Sequence, residues 1–324
     1  MLAENGLDSI LPDDPRRNEL VLYRGLASLR LEDTAMTDDI DLESGNIRFP
    51  GEDDIELVLE ENPNSEIAWS ALAHGRMAVY YRLLNEGRRQ MALKSRNYFD
   101  ETMQEALEVA GDSVEVSLTY LRAMLLRRNA LSQVMIVNPE KVTESRLAET
   151  ELAVEDARDR LIAAYNPSDH SNYVGQIAAL LPSVNQDGSD LAIEVLKKHL
   201  EKYPNDVKRR YTLLELLQST NKITEAKKQA RRIIEEEQQT VGLQSTEQFR
   251  LRPYAAQILV QLCLDQIDEN STDEEYVEYI NEAKESRETL SDLVSNKENN
   301  PLFLYTDGVI ALSEKDYATA ASKL

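Results

Sequence analysis

One cysteine and three histidines are all that 324 residues offer for thiol, metal or imidazole chemistry. A lone thiol, Cys263, excludes an intramolecular disulfide, and its place in the apolar run 255–264 marks a buried small hydrophobe. His74, His170 and His199 lie far apart, none at the HExxH spacing, so a zinc site or a Ser-His-Asp triad lacks its parts. His74 and His199 fall in expected helices as packing or surface residues, and His170 in a polar loop beside Asp169. With 11 glycines and 10 prolines there are too few turns for a many-stranded sheet, and the isolated glycines form neither GxxxxGK nor GxGxxG. The only short β-favouring stretches, Gln133 to Val137 and Asn46 to Phe49, have no obvious partner strand. No run reaches the roughly 18 apolar residues of a membrane span, and the first residues form no signal-peptide pattern. The expectation is a helical chain that is not an enzyme and takes no cofactor or metal, with cytoplasmic residence as the default.

Positive charge is also short: 36 Lys and Arg against 59 Asp and Glu give a net charge of -23. Such a balance repels phosphate backbones and anionic membrane surfaces, so nucleic acid and membrane insertion are not expected. The shortage is uneven. From Val195 to Arg232 eleven basic residues face four acids, a local net of +7. The bland account is a solvated helical face; the functional one is a docking site, including Lys208, Arg209 and Arg210, for an acidic partner segment. RNA is disfavoured there, because stacking aromatics are not interleaved with the basic residues. At the other pole, 32–61 holds twelve acids against Arg48 alone. We expect 32–62 to be an acidic, loop-rich insert that serves solubility or docks on the basic stretch of a second copy, a form of self-association.

What the chain has in quantity is helical periodicity. Ala192 and Ala226 lie 34 residues apart, each in an amphipathic stretch: Leu191, Val195, Leu196 and Leu200 accompany the first, Ile223, Ala230, Ile233 and Ile234 the second. Pro204 separates the first stretch from a helix beginning near Val207. These residues, with Leu213, Leu214 and Leu217, resemble the tetratricopeptide repeat family, as do Pro63 followed by Trp69, Leu72 and Ala73, and Pro15 followed by Val21 and Gly25. The C-terminal stretch matches best, with Leu304, Gly308, Ala311, Tyr317, Ala320 and Leu324 at the family spacings. Small residues such as Gly308, Ala73 and Gly25 are expected where the two helices of a pair approach closely. The family's small-residue slot holds Leu214 instead in the central repeat.

The resemblance implies an all-α, right-handed α-solenoid of antiparallel helix pairs spanning 1–324, clearest at 15–31, 63–81, 190–235 and 301–324. The segments 82–170 and 236–298 depart from the spacing and are expected to hold longer or degenerate pairs, with Pro139 to Tyr165 as one long helix. Leu324 falls inside the second helix of a last repeat, so the array is expected to continue or to have been cut there.

Function follows from the resemblance alone: a non-catalytic scaffold or adaptor that holds partner peptides or helices in a groove lined by the first helix of each repeat. By spacing, that groove takes Lys208, Tyr211, Glu215, Gln218 and Ser219 in the central repeat, and Leu302, Tyr305, Val309, Leu312 and Ser313 in the last. Other repeats offer Glu19, Leu22, Leu26, Leu29 and Arg30, and Ile67, Ser70, His74, Ala78 and Val79, with burial by the next repeat as the competing account. Tyr211 and Tyr305 are the best anchors, since tyrosine is enriched at binding hot spots. The Lys and Asn pair that clamps a partner's C-terminal carboxylate in some members has no counterpart in these slots. The alternative is a regulatory array of a longer protein with a catalytic or effector domain after residue 324. An EF-hand-like spacing of Ser183, Asn185, Asp187, Gly188 and Glu194 is rejected as a calcium loop. Its first position lacks a carboxylate, and a polar turn ahead of a helix accounts for the same residues.

Overall fold

A computed structural model describes residues 16–31, 47–137, 144–185, 187–235, 244–268 and 270–324. Among the described residues there are fourteen α-helices, two short 3-10 turns and no strand. The chain divides into two compact units, Met1–Asn166 and Pro167–Leu324, where a single array was expected. The first unit contains α1 (Arg17–Leu31), α2 (Glu52–Glu61), α3 (Glu66–Asn85), α4 (Arg89–Ala110), α5 (Val114–Val137) and α6 (Glu144–Ala164). The second contains α7 (Val174–Leu180), α8 (Gly188–Lys202), α9 (Val207–Ser219), α10 (Ile223–Glu235), α11 (Gln244–Leu264), α12 (Asp273–Leu293), α13 (Pro301–Ser313) and α14 (Tyr317–Lys323).

Within each unit consecutive helices pack in pairs, and the first helix of one pair also packs on the first helix of the next: α1 on α3 and α3 on α5, then α9 on α11 and α11 on α13. Short turns make the partners antiparallel, and this connectivity is that of an all-α helical-repeat array. Three of the turns are the same object. After α3, α9 and α13 the chain places Gly87 (φ 75), Asn221 (φ 56) and Lys315 (φ 62) in the left-handed region. The next N–H then reaches back to Leu83, Leu217 or Ala311 at 2.8–2.9 Å. Each is a Schellman turn, which satisfies carbonyls the helix end would leave bare.

The periodic residues form the core. Ala192, Leu196, Leu213, Leu214, Leu217, Ala226 and Ala230 are all buried. Close approach occurs where small residues were expected: a Cβ at Gly308 would lie 2.6 Å from Leu324 Cγ, so glycine lets α14 settle on α13. The Trp69 indole donates to the Pro63 carbonyl at 2.7 Å, fixing the entry to α3.

The acidic stretch differs from a loop. Its last part is α2, whose Ile55, Val58 and Leu59 are buried against the rest of the first unit. Their i, i+3, i+4 spacing is helical, and the dense acids around them obscured it. Residues 32–46 lie outside the described ones. Asn46 to Phe49 gives no strand: Ile47 and Phe49 are buried in an extended segment, and 133–137 belongs to α5. The helix expected over 139–165 is described as Glu144–Ala164, with its start outside the described residues. The longer pairs expected in 236–298 are α11 and α12, each 21 residues. Gly188 opens α8, as the polar-turn account of that loop requires.

Candidate binding face

In the second unit α9 packs on α11 and α11 on α13, so three successive first helices lie side by side. Asp206 precedes the first. Its carboxylate caps α9 by accepting from the Arg209 N–H at 3.1 Å, and its other oxygen meets His199 Nε2 of α8 at 2.9 Å. The bond to His199 ties the start of α9 to α8, and the burial of Val207, Leu213, Leu214 and Leu217 sets which side of 207–219 faces outward.

Tyr211 and Glu215, one turn apart, lie on that face, Tyr211 half-buried and Glu215 exposed. Burial raises the Tyr211 hydroxyl to about 12, with Glu215 and Tyr254 adding to the effect. Burial likewise holds the Glu215 carboxyl above its ordinary value. Tyr254 of α11 is 46% exposed, and on α13 Tyr305 is 42% exposed with its hydroxyl donating to Gln261 of α11 at 3.5 Å. Gln218, Ile258 and Val309 are half-buried, and Leu312 is exposed. In a chain that is 29% charged, this face is tyrosine, amide and aliphatic, with few charges. Interface cores have that composition.

The three consecutive basic residues separate. Lys208 is exposed beside a turn cavity of about 600 Å³ between α8 and α9. Arg209 lies over α7, its guanidinium occupying the space a Cβ on Gly175 would need. Arg210 is only 1% exposed and cannot serve as a docking residue: it donates to Gln229 at 3.0 Å and to the Pro204 carbonyl. Successive helical residues point about 100° apart, so a run of three cannot share one face. Much of the +7 stretch is also neutralised at home. Lys222 pairs with Asp190 at 2.6 Å, Lys197 with Glu225, and Lys227 and Arg231 both with Glu282 of α12.

No family model and no curated protein matches the chain. Among solved structures, a similar chain is the pilF protein of Pseudomonas aeruginosa, at 15% identity and a TM-score of 0.36, over 78% of this chain and 88% of that one.

In the first unit the equivalent positions are partly consumed by the next pair. Ser70 hydrogen-bonds Thr119 of α5 at 2.8 Å, Val79 and Leu22 are buried, and Ile67 stays exposed. A groove of about 460 Å³ lies instead on α4, α5 and α6, floored by Phe99, Met103 and Met124. Sequence reasoning missed Tyr254, Ile258 and Gln261, because α11 sits where the 34-residue spacing lapses. Their signal was the helical period of 254, 258 and 261 within 244–264. Among the described residues no group of three or more His, Cys, Asp or Glu side chains is placed to hold a metal ion, and no helix is long and apolar enough to cross a membrane.

Proposed function

We propose that the chain is a non-catalytic interaction scaffold of the tetratricopeptide type, which binds a segment of a partner protein on the first-helix face of its second unit. The observation that carries this is the juxtaposition of Tyr211, Tyr254 and Tyr305, with Gln218, Gln261 and Val309, on three successive first helices. Tyrosines present large, stiff, amphipathic surfaces whose ordering costs little entropy, and a charge-poor floor avoids desolvation penalties on binding. Lys208 stands at the rim, where a charge steers encounter more than it adds affinity.

Photo-crosslinking tests this directly. A benzoylphenylalanine placed at 254 or 305 of the full chain, in cells of the source organism, is expected to yield a discrete protein adduct. The same probe at exposed Tyr98 of the first unit should not. Absence of an adduct at 254 and 305, or the same adducts at all three positions, defeats the assignment of this face. Once the partner is known, Tyr254→Ala and Tyr305→Ala should each weaken binding at least tenfold by titration calorimetry, the scale of a truncated aromatic anchor.

A further inference from the structure

The turn cavity of about 600 Å³ between α8 and α9 lies mostly in the basic stretch 195–232 and collects bases that no acid holds. Lys197, Lys222, Lys227 and Arg231 of that stretch each pair with a carboxylate, and Arg210 is buried. Lys202 and Lys208 have no ion pair among the described residues, and both line the cavity. Lys202 donates to the Ser168 hydroxyl and stands 6.0 Å from the centre of the Tyr203 ring, while the Lys208 ammonium has no hydrogen bond among the described residues. One acid lines the cavity, Asp206. Both of its oxygens are engaged, one by the Arg209 N–H and the other by His199 Nε2. His199, itself part of the wall, is only 2% exposed, and its Nδ1 is buried with no hydrogen-bond partner among the described residues. A buried polar atom is rarely left unpaired.

Ser171, Asn172 and Asn205 add a hydroxyl and two amides to the wall, none of them in a side-chain hydrogen bond among the described residues. With the two ammonium groups they place five donor side chains around one space, more than the two oxygens of a carboxylate can satisfy. A phosphate monoester presents three acceptor oxygens and a charge of about -1.5 to -2 near pH 7. Val207 and Lys208, the first turn of α9, are part of the wall, and the helix dipole there favours an anion. The volume falls within the ~300–1,000 Å³ of small-molecule sites, and Tyr203 and Pro204 offer an apolar side to whatever carries the phosphate. We propose that this cavity binds a phosphate monoester, held by Lys202 and Lys208 and oriented by Asn172 and Asn205. The ester is carried by a phosphorylated side chain of a protein segment or by a small phosphorylated molecule. The site does not depend on the reading of the first-helix face as a binding face.

Phosphorus NMR titration of the full chain tests the site with three probes: inorganic phosphate, glucose 6-phosphate and the end-blocked peptide Ala-Ala-phosphoserine-Ala-Ala. At least one ester is expected to bind saturably and more tightly than inorganic phosphate. Lys202→Gln and Lys208→Gln together should weaken it roughly tenfold or more, the scale of lost hydrogen bonds to a charged group. Lys198→Gln with Lys228→Gln removes the same charge from exposed positions outside the cavity and should change binding less than about twofold. Circular dichroism checks that every variant keeps its helicity. The tighter ester identifies the carrier: the peptide a phosphorylated side chain, the sugar phosphate a small molecule. Equal weakening by the two double variants would mean a diffuse positive field, and equal competition by a peptide with glutamate in place of phosphoserine would mean a carboxylate site. Either result, or no saturable binding, overturns the proposal, and none of them bears on crosslinking at 254 and 305.

Discussion

Arg210 donates one guanidinium nitrogen to Gln229 and another to the Pro204 carbonyl, tying the start of α9 to both the incoming turn and α10. Its stem fills core volume as well. Arg210→Ala should therefore cost about 2–3 kcal/mol, the loss of hydrogen bonds to a buried charge. Lys208→Ala at the exposed neighbour should cost under about 0.5 kcal/mol; urea midpoints followed by circular dichroism separate the two. Arg76 has the parallel role in the first unit, where Glu52 is almost fully buried. Burial raises the Glu52 carboxyl, opposed by Arg76 and by the Phe49 N–H. Arg76→Met leaves that charge uncompensated and should destabilise by about 3 kcal/mol near pH 7. A carboxyl whose folded pKa is raised stabilises fully below its unfolded pKa and loses that contribution as pH rises through the folded value. The deficit of Arg76→Met relative to the parent should therefore shrink on acidification from pH 7 to 4; a pH-independent deficit would mean lost packing alone. Cys263 is fully buried and its thiol is pushed up to about 12 chiefly by burial, so dithionitrobenzoate should react only after denaturation.

Helix ends explain how such different sequences make the same pair. The left-handed position of the three matching turns is filled by Gly87, Asn221 and Lys315, which share no side-chain chemistry. What they share is a backbone conformation, cheap for glycine, tolerable for asparagine and costly for lysine. Lys315→Gly should thus stabilise the α13–α14 pair by about 0.5–1 kcal/mol, read as slower amide exchange in α14; faster exchange would show that the lysine side chain contributes more than its backbone costs. The helices themselves were largely legible. Ala192, Leu196, Ala226 and Ala230 repeat with the period of a buried stripe, and that stripe is what packs. Two elements were not legible as they stand. The apolar residues of α2 are outnumbered by acids, and α11 carries Pro253 inside an irregularly spaced pair. In both, burial against neighbours overrides local composition.

Across the whole chain, charge is arranged to cancel locally and to remain negative overall. Among the described residues most ion pairs have at least one solvent-exposed partner and contribute little, whereas a net charge of -23 repels itself at long range. Raising salt from about 0.01 to 0.3 M, which shortens the Debye length from ~30 Å to under ~8 Å, should therefore raise Tm. A fall in Tm would mean that the ion pairs outweigh the repulsion.

Helix content, the 34-residue repeat in 190–235 and the residues of its core followed from the sequence alone, because periodicity along one chain records which stripe of each helix must leave water. The places of Tyr211 on α9 and Tyr305 on α13, outside that stripe, followed from the same periodicity. Only tertiary structure decided which basic residues remain outward, since Arg210 differs from Lys208 by the direction of its side chain around a capped helix. It also joined Tyr305 of α13 to Gln261 of α11, because contacts between helices depend on packing that no single stretch of sequence specifies.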